Sequence, residues 1–201
     1  MDKETRNSLR NVVTQCRRLL EDETAKQLQG RFGIHSSGTI EPVESMSHLS
    51  VEDRQCRADL IAHLSHIGAV GFDSTEAFEQ LTREIAFTHL NRLCAYKLME
   101  RREVFIDGKR FREAVSRGTN SNGFKFFLAD HPDAEKLFQS GDQEAAYRMF
   151  LDHLGTTLSD EIGVLFNPND PANRLYPSQR ILNDVLERLN VPSLDDVWSE
   201  D

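Results

Sequence analysis

Apolar residues near the N-terminus recur at helical intervals. Leu9, Val12, Val13, Cys16, Leu19 and Leu20 fall on one stripe, with Arg10, Arg17 and Arg18 off it, and the pattern fades at Gln29-Gly30. This predicts an N-terminal helix over residues 1–29. Between Gly30 and Ser50 the periodicity is lost. Gly33, Ser36, Ser37, Gly38, Pro42, Ser45 and Ser47 punctuate the chain, a composition expected to bury too little apolar area to order itself. Residues 30–50 therefore read as a mobile loop or linker. They lack the Lys-Ser/Thr ending of a phosphate loop. A second helix follows, with Leu60, Ile61, Leu64 and Ile67 as its stripe and Gly68 near its end.

The pattern is densest over residues 74–102. Asp73 with Glu76 three residues on is a variant of the capping box. Phe78, Leu81, Ile85, Tyr96 and Met99 make one apolar face, and Phe87, Leu90, Leu93, Cys94 and Leu98 a nearly opposite one. A helix apolar on two sides is sandwiched between neighbours, so this one is expected to centre a helical domain over residues 51–201. His89, Asn91 and Arg92 are embedded in it as a candidate buried polar network, since unpaired burial of such groups is strongly unfavourable. Val104-Phe105-Ile106 followed by Asp107-Gly108-Lys109 is the one hairpin signal. Ser140 with Gln143 reads as a capping box for a helix carrying Ala146, Met149, Phe150 and Leu154. Pro177 sits where a helix bearing Ile181, Leu182, Val185 and Leu189 begins, and a short helix over Ser193–Trp198 follows. The expected fold is mainly α, an irregular helical bundle with at most one short hairpin, forming one domain overall.

Composition narrows the functional classes. A chain of 201 residues with 38% hydrophobic and 28% charged residues has enough apolar material for one globular core. No apolar run reaches membrane-spanning length and the start, MDKETRNSLR, is polar, so the expected compartment is the cytoplasm, with no membrane partner. The net charge of −9 argues against a free-standing DNA binder. The charge is uneven, however. Arg101 to Lys125 carries seven bases against three acids, whereas Phe126 to Asp201 carries fifteen acids against five bases. An acidic body with one basic segment is steered toward nucleic acid or an acidic partner, or else the segment is a solvated face.

The candidate chemistry is sparse. Cys16, Cys56 and Cys94 match no zinc spacing or redox pair and read as buried structural thiols. His63 and His66 stand three apart with no third ligand at a recognisable spacing, so no metal site is expected. Asp107-x-Lys109 fits half of a nuclease signature without an upstream acidic element. Asn167-Pro168-Asn169-Asp170 lacks the second proline and the aromatic ring of an amino-methyltransferase Asn-Pro-Pro-Tyr motif, and reads as a turn. Arg117-Gly118-Thr119-Asn120-Ser121-Asn122-Gly123-Phe124-Lys125 is the best candidate for direct function. Arg117, Asn120, Asn122 and Lys125 offer charge and short polar side chains for a DNA backbone or a docking partner, while the loop's amides suit either a phosphate or the capping of the next helix.

Three stretches, FTHLNRLCAYKLM from Phe87, GTNSNGFK from Gly118 and NPNDPANRLYPSQR from Asn167, resemble the N-terminal region of large adenine-specific DNA methyltransferases of BREX and phage-growth-limitation defence systems. The resemblance spans roughly residues 78–201 and is vaguer over residues 1–71. It implies a longer parent in which this region precedes a catalytic domain that moves a methyl group from S-adenosylmethionine to adenine N6. No catalytic, cofactor-binding or metal residue carries over, because the glycine-rich cofactor motif and the Asn-Pro-Pro-Tyr motif have no counterpart here. The expected partners are the parent's own methyltransferase domain, DNA bound weakly and without sequence preference, and other defence proteins. The alternative is a stand-alone helical adaptor that binds a protein partner.

Overall fold

The computed structural model describes residues 1–103, 106, 107, 110, 111, 113–159, 162–167 and 170–199. The protein is a mainly-α helical bundle. Among the described residues, eight α-helices are joined by short 3-10 turns: α1 (Lys3–Gly30), α2 (Val51–Ala69), α3 (Ser74–Arg101), α4 (Asn122–Asp130), α5 (Pro132–Gln139), α6 (Gln143–Leu158), α7 (Gln179–Leu189) and α8 (Asp195–Ser199). One antiparallel hairpin pairs β1 (Ile106–Asp107) with β2 (Arg110–Phe111), Ile106 opposite Phe111. The adjoining Val104, Phe105, Gly108 and Lys109, on which the strand, turn and nuclease readings also rest, lie outside the described residues.

The chain gathers into two compact units. One comprises Met1–Cys16, Leu90–Pro168 and Ser178–Asp201, the other Arg17–His89 and Asn169–Pro177. The expected boundaries at residues 29/30 and 50/51 do not coincide with them: both fall inside the second unit.

In that second unit the core is built by Leu28, Phe32, Ile34, Met46, Leu49, Leu60, Ile67, Ala77, Phe78, Leu81, Ile85 and Leu175, all nearly inaccessible to solvent. Four of these belong to the stretch expected to bury too little to order itself, and that expectation is corrected here. Residues 31–50 are irregular but anchored. Phe32, Ile34, Met46 and Leu49 point inward, and the buried Arg57 of α2 donates from Nε to the Phe32 carbonyl at 2.7 Å and from Nη2 to the Glu41 carbonyl. Gly33 has φ of +58°, and a Cβ there would meet the Glu41 side chain at 2.9 Å, so this turn requires glycine. Ser50 caps α2 in a reciprocal box with Asp53.

Helix α3 starts as its sequence indicates. The Asp73 side chain accepts from the Glu76 amide at 2.8 Å and Glu76 accepts from the Asp73 amide at 3.0 Å. Its burial differs from the two-faced reading. Phe78, Leu81, Ile85, His89, Arg92, Leu93, Tyr96 and Glu100 line one broad buried stripe, with Leu90 and Lys97 at its edges. Phe87 is 59% exposed, and Cys94, Leu98 and Met99 are only half-buried. The second face is a margin of the first rather than an opposite contact surface.

In the first unit Phe124 of α4 is fully buried, its ring 5.9 Å from Phe138, 5.2 Å from Tyr147 and 5.7 Å from Phe150. Edge and tilted ring pairs of this kind add about 0.5–1.5 kcal/mol each beyond area burial. Asp142, not Ser140, caps α6, accepting from the Ala145 amide at 3.0 Å. Ser140 ends α5 instead, donating its hydroxyl to the Leu137 carbonyl. Helix α7 buries Ile181, Leu182, Val185, Leu186 and Leu189, and begins two residues after Pro177. The Trp198 indole of α8 donates to the Leu189 carbonyl at 3.0 Å.

Candidate nucleic-acid interface

The segment leading into the Arg117–Lys125 loop is held by side chains rather than by a regular ladder. Lys97 and Glu100 lie one turn apart on α3, 3% and 1% exposed. The Glu100 carboxylate accepts from the Ala114 and Val115 amides at 2.7 Å and from the Ser116 amide at 3.1 Å. The Ser116 hydroxyl also donates to Glu100, and the Lys97 ammonium donates to Ser116 Oγ at 2.6 Å, 3.8 Å from Glu100 Oε1. Three successive amides on one carboxylate form a nest around an anion that the protein itself supplies. Burial pulls the Lys97 ammonium below its ordinary value, against the opposing influence of Glu100. The Tyr147 hydroxyl donates to the Ala114 carbonyl at 3.0 Å and Asn190 Nδ2 to the Val115 carbonyl at 3.2 Å. Burial pushes Tyr147 far above the ordinary phenol value.

The loop itself runs through a 3-10 turn, Gly118–Asn120, into α4. Its amides are largely committed internally. Asn120 donates to Arg117 O, Ser121 to Gly118 O, Gly123 to Glu113 O at 2.8 Å and Phe124 to the Ser121 hydroxyl that caps α4. A Cβ at Gly123 would stand 2.3 Å from Glu113 O, so glycine permits this close approach. The Phe124 amide realises the capping use. Arg117, Asn120, Asn122 and Lys125 are all exposed. Arg117 Nε lies 3.7 Å from Glu113 Oε2, beyond hydrogen-bond reach, and Lys125 is in no ion pair among the described residues. Asn122 and Lys125, three apart, share one side of α4. Of the remaining basic segment, Lys109 and Arg112 lie outside the described residues. Arg101 is exposed and donates to Ser199 Oγ at 3.1 Å.

Two members of the candidate polar network are buried on backbone carbonyls. His89 is buried with Nε2 2.7 Å from the Leu175 carbonyl and its ring edge-on to Tyr176 at 5.3 Å. Arg92 is buried, donates from Nε to the Leu165 carbonyl at 2.9 Å, and stands 6.0 Å from the Phe166 ring. Asn91 is half-buried. Nothing in the sequence pairs Lys97 and Glu100 with residues 114–116; only the fold brings this clamp together.

The histidines and cysteines play local parts. His63 Nε2 lies 3.0 Å from Glu84 and His66 is exposed. Among the described residues no three potential metal ligands gather. Desolvation pushes the Cys16 and Cys56 thiols up to about 11 and Cys94 up to about 12, as expected of structural thiols. Of the Asn167–Asp170 turn, Pro168 and Asn169 lie outside the described residues, and Asp170 accepts from the Ala172 amide at 2.8 Å to start a 3-10 turn. No described helix is long and apolar enough to cross a membrane. Comparison with known proteins returns no matching family model, no matching curated protein and no matching solved structure.

Proposed function

We propose that this chain is the non-catalytic, helical N-terminal domain of a phage-defence, S-adenosylmethionine-dependent DNA adenine-N6 methyltransferase. Its role is to support the downstream catalytic domain and to meet DNA backbone, or a docking partner of the defence system, through Arg117, Asn120, Asn122 and Lys125. One observation carries the non-catalytic half of this reading: the polar groups of the resembling stretches serve the fold. His89 and Tyr176, from two different stretches, pack together, and His89 bonds to the carbonyl of Leu175. Arg92 and Lys97, from the first stretch, are buried on a carbonyl and on a hydroxyl. The second stretch uses the amides of Gly123, Phe124 and Lys125 to start α4, while its Asn120, Asn122 and Lys125 are exposed. Contact of exposed Arg and Lys with phosphate neutralises backbone charge and carries no sequence information. S-adenosylmethionine belongs to the catalytic domain, and this chain carries neither the glycine-rich nor the Asn-Pro-Pro-Tyr motif to hold it or its target.

The decisive test is the coding sequence downstream of Asp201. A glycine-rich cofactor motif followed by Asn-Pro-Pro-Tyr or Asp-Pro-Pro-Tyr is expected. A stop codon there would overturn the reading and leave the stand-alone protein-binding adaptor in its place.

A further inference from the structure

We propose that Lys97 and Glu100 are positioning residues for the Arg117–Lys125 surface. The inference rests on the reading that this surface meets nucleic-acid backbone, and it adds the device that holds it in place. Four independent anchors converge on the four residues before Arg117. Glu113 O accepts from the Gly123 amide, Tyr147 donates to Ala114 O, Asn190 donates to Val115 O, and Glu100 accepts from three consecutive amides. Every peptide group from Ala114 to Ser116 thus has at least one polar anchor. Three of the four anchors come from neutral groups. The fourth is a buried carboxylate with a buried ammonium beside it, joined through the Ser116 hydroxyl.

A buried ion pair is weak evidence for stability, because desolvation offsets most of its attraction; its better-attested use is to fix a unique arrangement. Here the arrangement fixed is the direction in which the chain leaves Ser116. The next residue is Arg117, and the Gly118 amide bonds back to Val115 O at 3.4 Å. The same segment seats the start of α4 through Glu113 O and Gly123, so Asn122 and Lys125 inherit their placement from it. Loss of the clamp would leave Arg117 and Lys125 present and charged but no longer held in one geometry.

The test uses the whole chain, a fluorescein-labelled DNA duplex at low salt, and hydrogen exchange of the Gly118–Lys125 amides. Glu100→Gln and Ser116→Ala are compared with wild type, with Arg117→Glu/Lys125→Glu, and with Phe127→Leu, which loosens the α4–α6 core without touching residues 113–116. Ser116→Ala removes one hydroxyl and spares the carboxylate, so it stands in if Glu100→Gln does not fold. The expected result is faster exchange in Gly118–Lys125 for both clamp variants. Duplex binding should weaken by roughly tenfold and the salt slope fall by about one, as when one phosphate contact is lost. Phe127→Leu should lower the melting temperature with affinity and slope unchanged. Unchanged exchange and slope in the clamp variants overturn the positioning role while leaving the surface reading intact. Wild-type affinity in Arg117→Glu/Lys125→Glu, or no duplex binding by wild type even at low salt, overturns the surface reading and the positioning role with it.

Discussion

Arg57 gives the sharpest test of how the 31–50 segment is ordered. Its guanidinium, buried to 6% exposure, reaches the carbonyls of Phe32 and Glu41 with two different nitrogens. Hydrogen bonds from a charged donor contribute about 1.5–3 kcal/mol each, and Arg57→Ala removes both. Release from burying a guanidinium offsets part of this, so a net local destabilisation of about 3 kcal/mol is expected, roughly a hundredfold in the opening equilibrium. The effect is local because Arg31–Asp53, Arg54 Nε to Leu49 O and the buried Met46 and Leu49 still hold the rest of the segment, and it is read at three short-range bonds: Ile34 N to Leu28 O, His35 N to Thr39 O, and Glu41 N to Gly33 O. Hydrogen exchange of those three amides, under conditions where the open fraction sets the rate, measures the effect. Arg57→Lys should fall between wild type and alanine, since one ammonium replaces a fork that spans two carbonyls. The reasoning is refuted if these amides exchange at the wild-type rate in Arg57→Ala. It is equally refuted if acceleration is uniform over α5 and α6, which would mark a global effect.

Three further outcomes follow from the same structure. Gly123→Ala should lower the denaturant midpoint by an amount equivalent to about 1–3 kcal/mol, because the new methyl must displace the Glu113 carbonyl; an unchanged midpoint would show that α4 shifts freely. The three thiols should react with a disulfide reagent at pH 8 only as the protein unfolds, given the burial of Cys16 and Cys56, the half-burial of Cys94 and values of about 11 to about 12, and rapid labelling of the native protein contradicts this. His153 is held below its ordinary value of 6.5, first by desolvation and then by His131. The unfolded chain therefore takes up the proton first, so its stabilising contribution is present above that value and is lost as pH falls through the folded one. His153→Gln should flatten the decline of stability as pH falls below 6.5, and an unaltered slope sinks the assignment.

Legibility followed sequence distance. The Asp73–Glu76 box was readable because both partners lie within one turn, and the α7 stripe because Ile181, Leu182, Val185 and Leu189 repeat at helical spacing. The α6 cap was misplaced because Ser140 and Asp142 are both good caps and only the fold chooses between them. Phe87 looked like half of a second core face because periodicity ranks residues around a helix but does not say which side has a neighbour. The ordering of residues 31–50 was invisible since its main tether, Arg57, lies 25 residues from Phe32 and looks like any surface arginine on an amphipathic helix. The Lys97–Glu100 clamp was hidden for the same reason. Its two charges sit three apart, as on countless solvated helices, and only the amides 14 to 16 residues further on reveal a buried role. Of the candidate surface, the four exposed residues were legible as a polar loop flanked by charge. Capping of the next helix by its amides was also one of the two uses open in the sequence, and Phe124 N to Ser121 Oγ realises it.

Isothermal titration calorimetry of this chain with S-adenosylmethionine, run beside a methyl-transfer assay on an adenine-containing duplex, puts the scaffold reading to its hardest trial. The glycine-rich cofactor motif and the target-base motif are absent from the sequence, and His89, Arg92 and Lys97 of the first resembling stretch are engaged in the fold. The expected result is no saturable heat and no methylated adenine. A saturable micromolar cofactor signal, or methyl transfer by this chain alone, would contradict it.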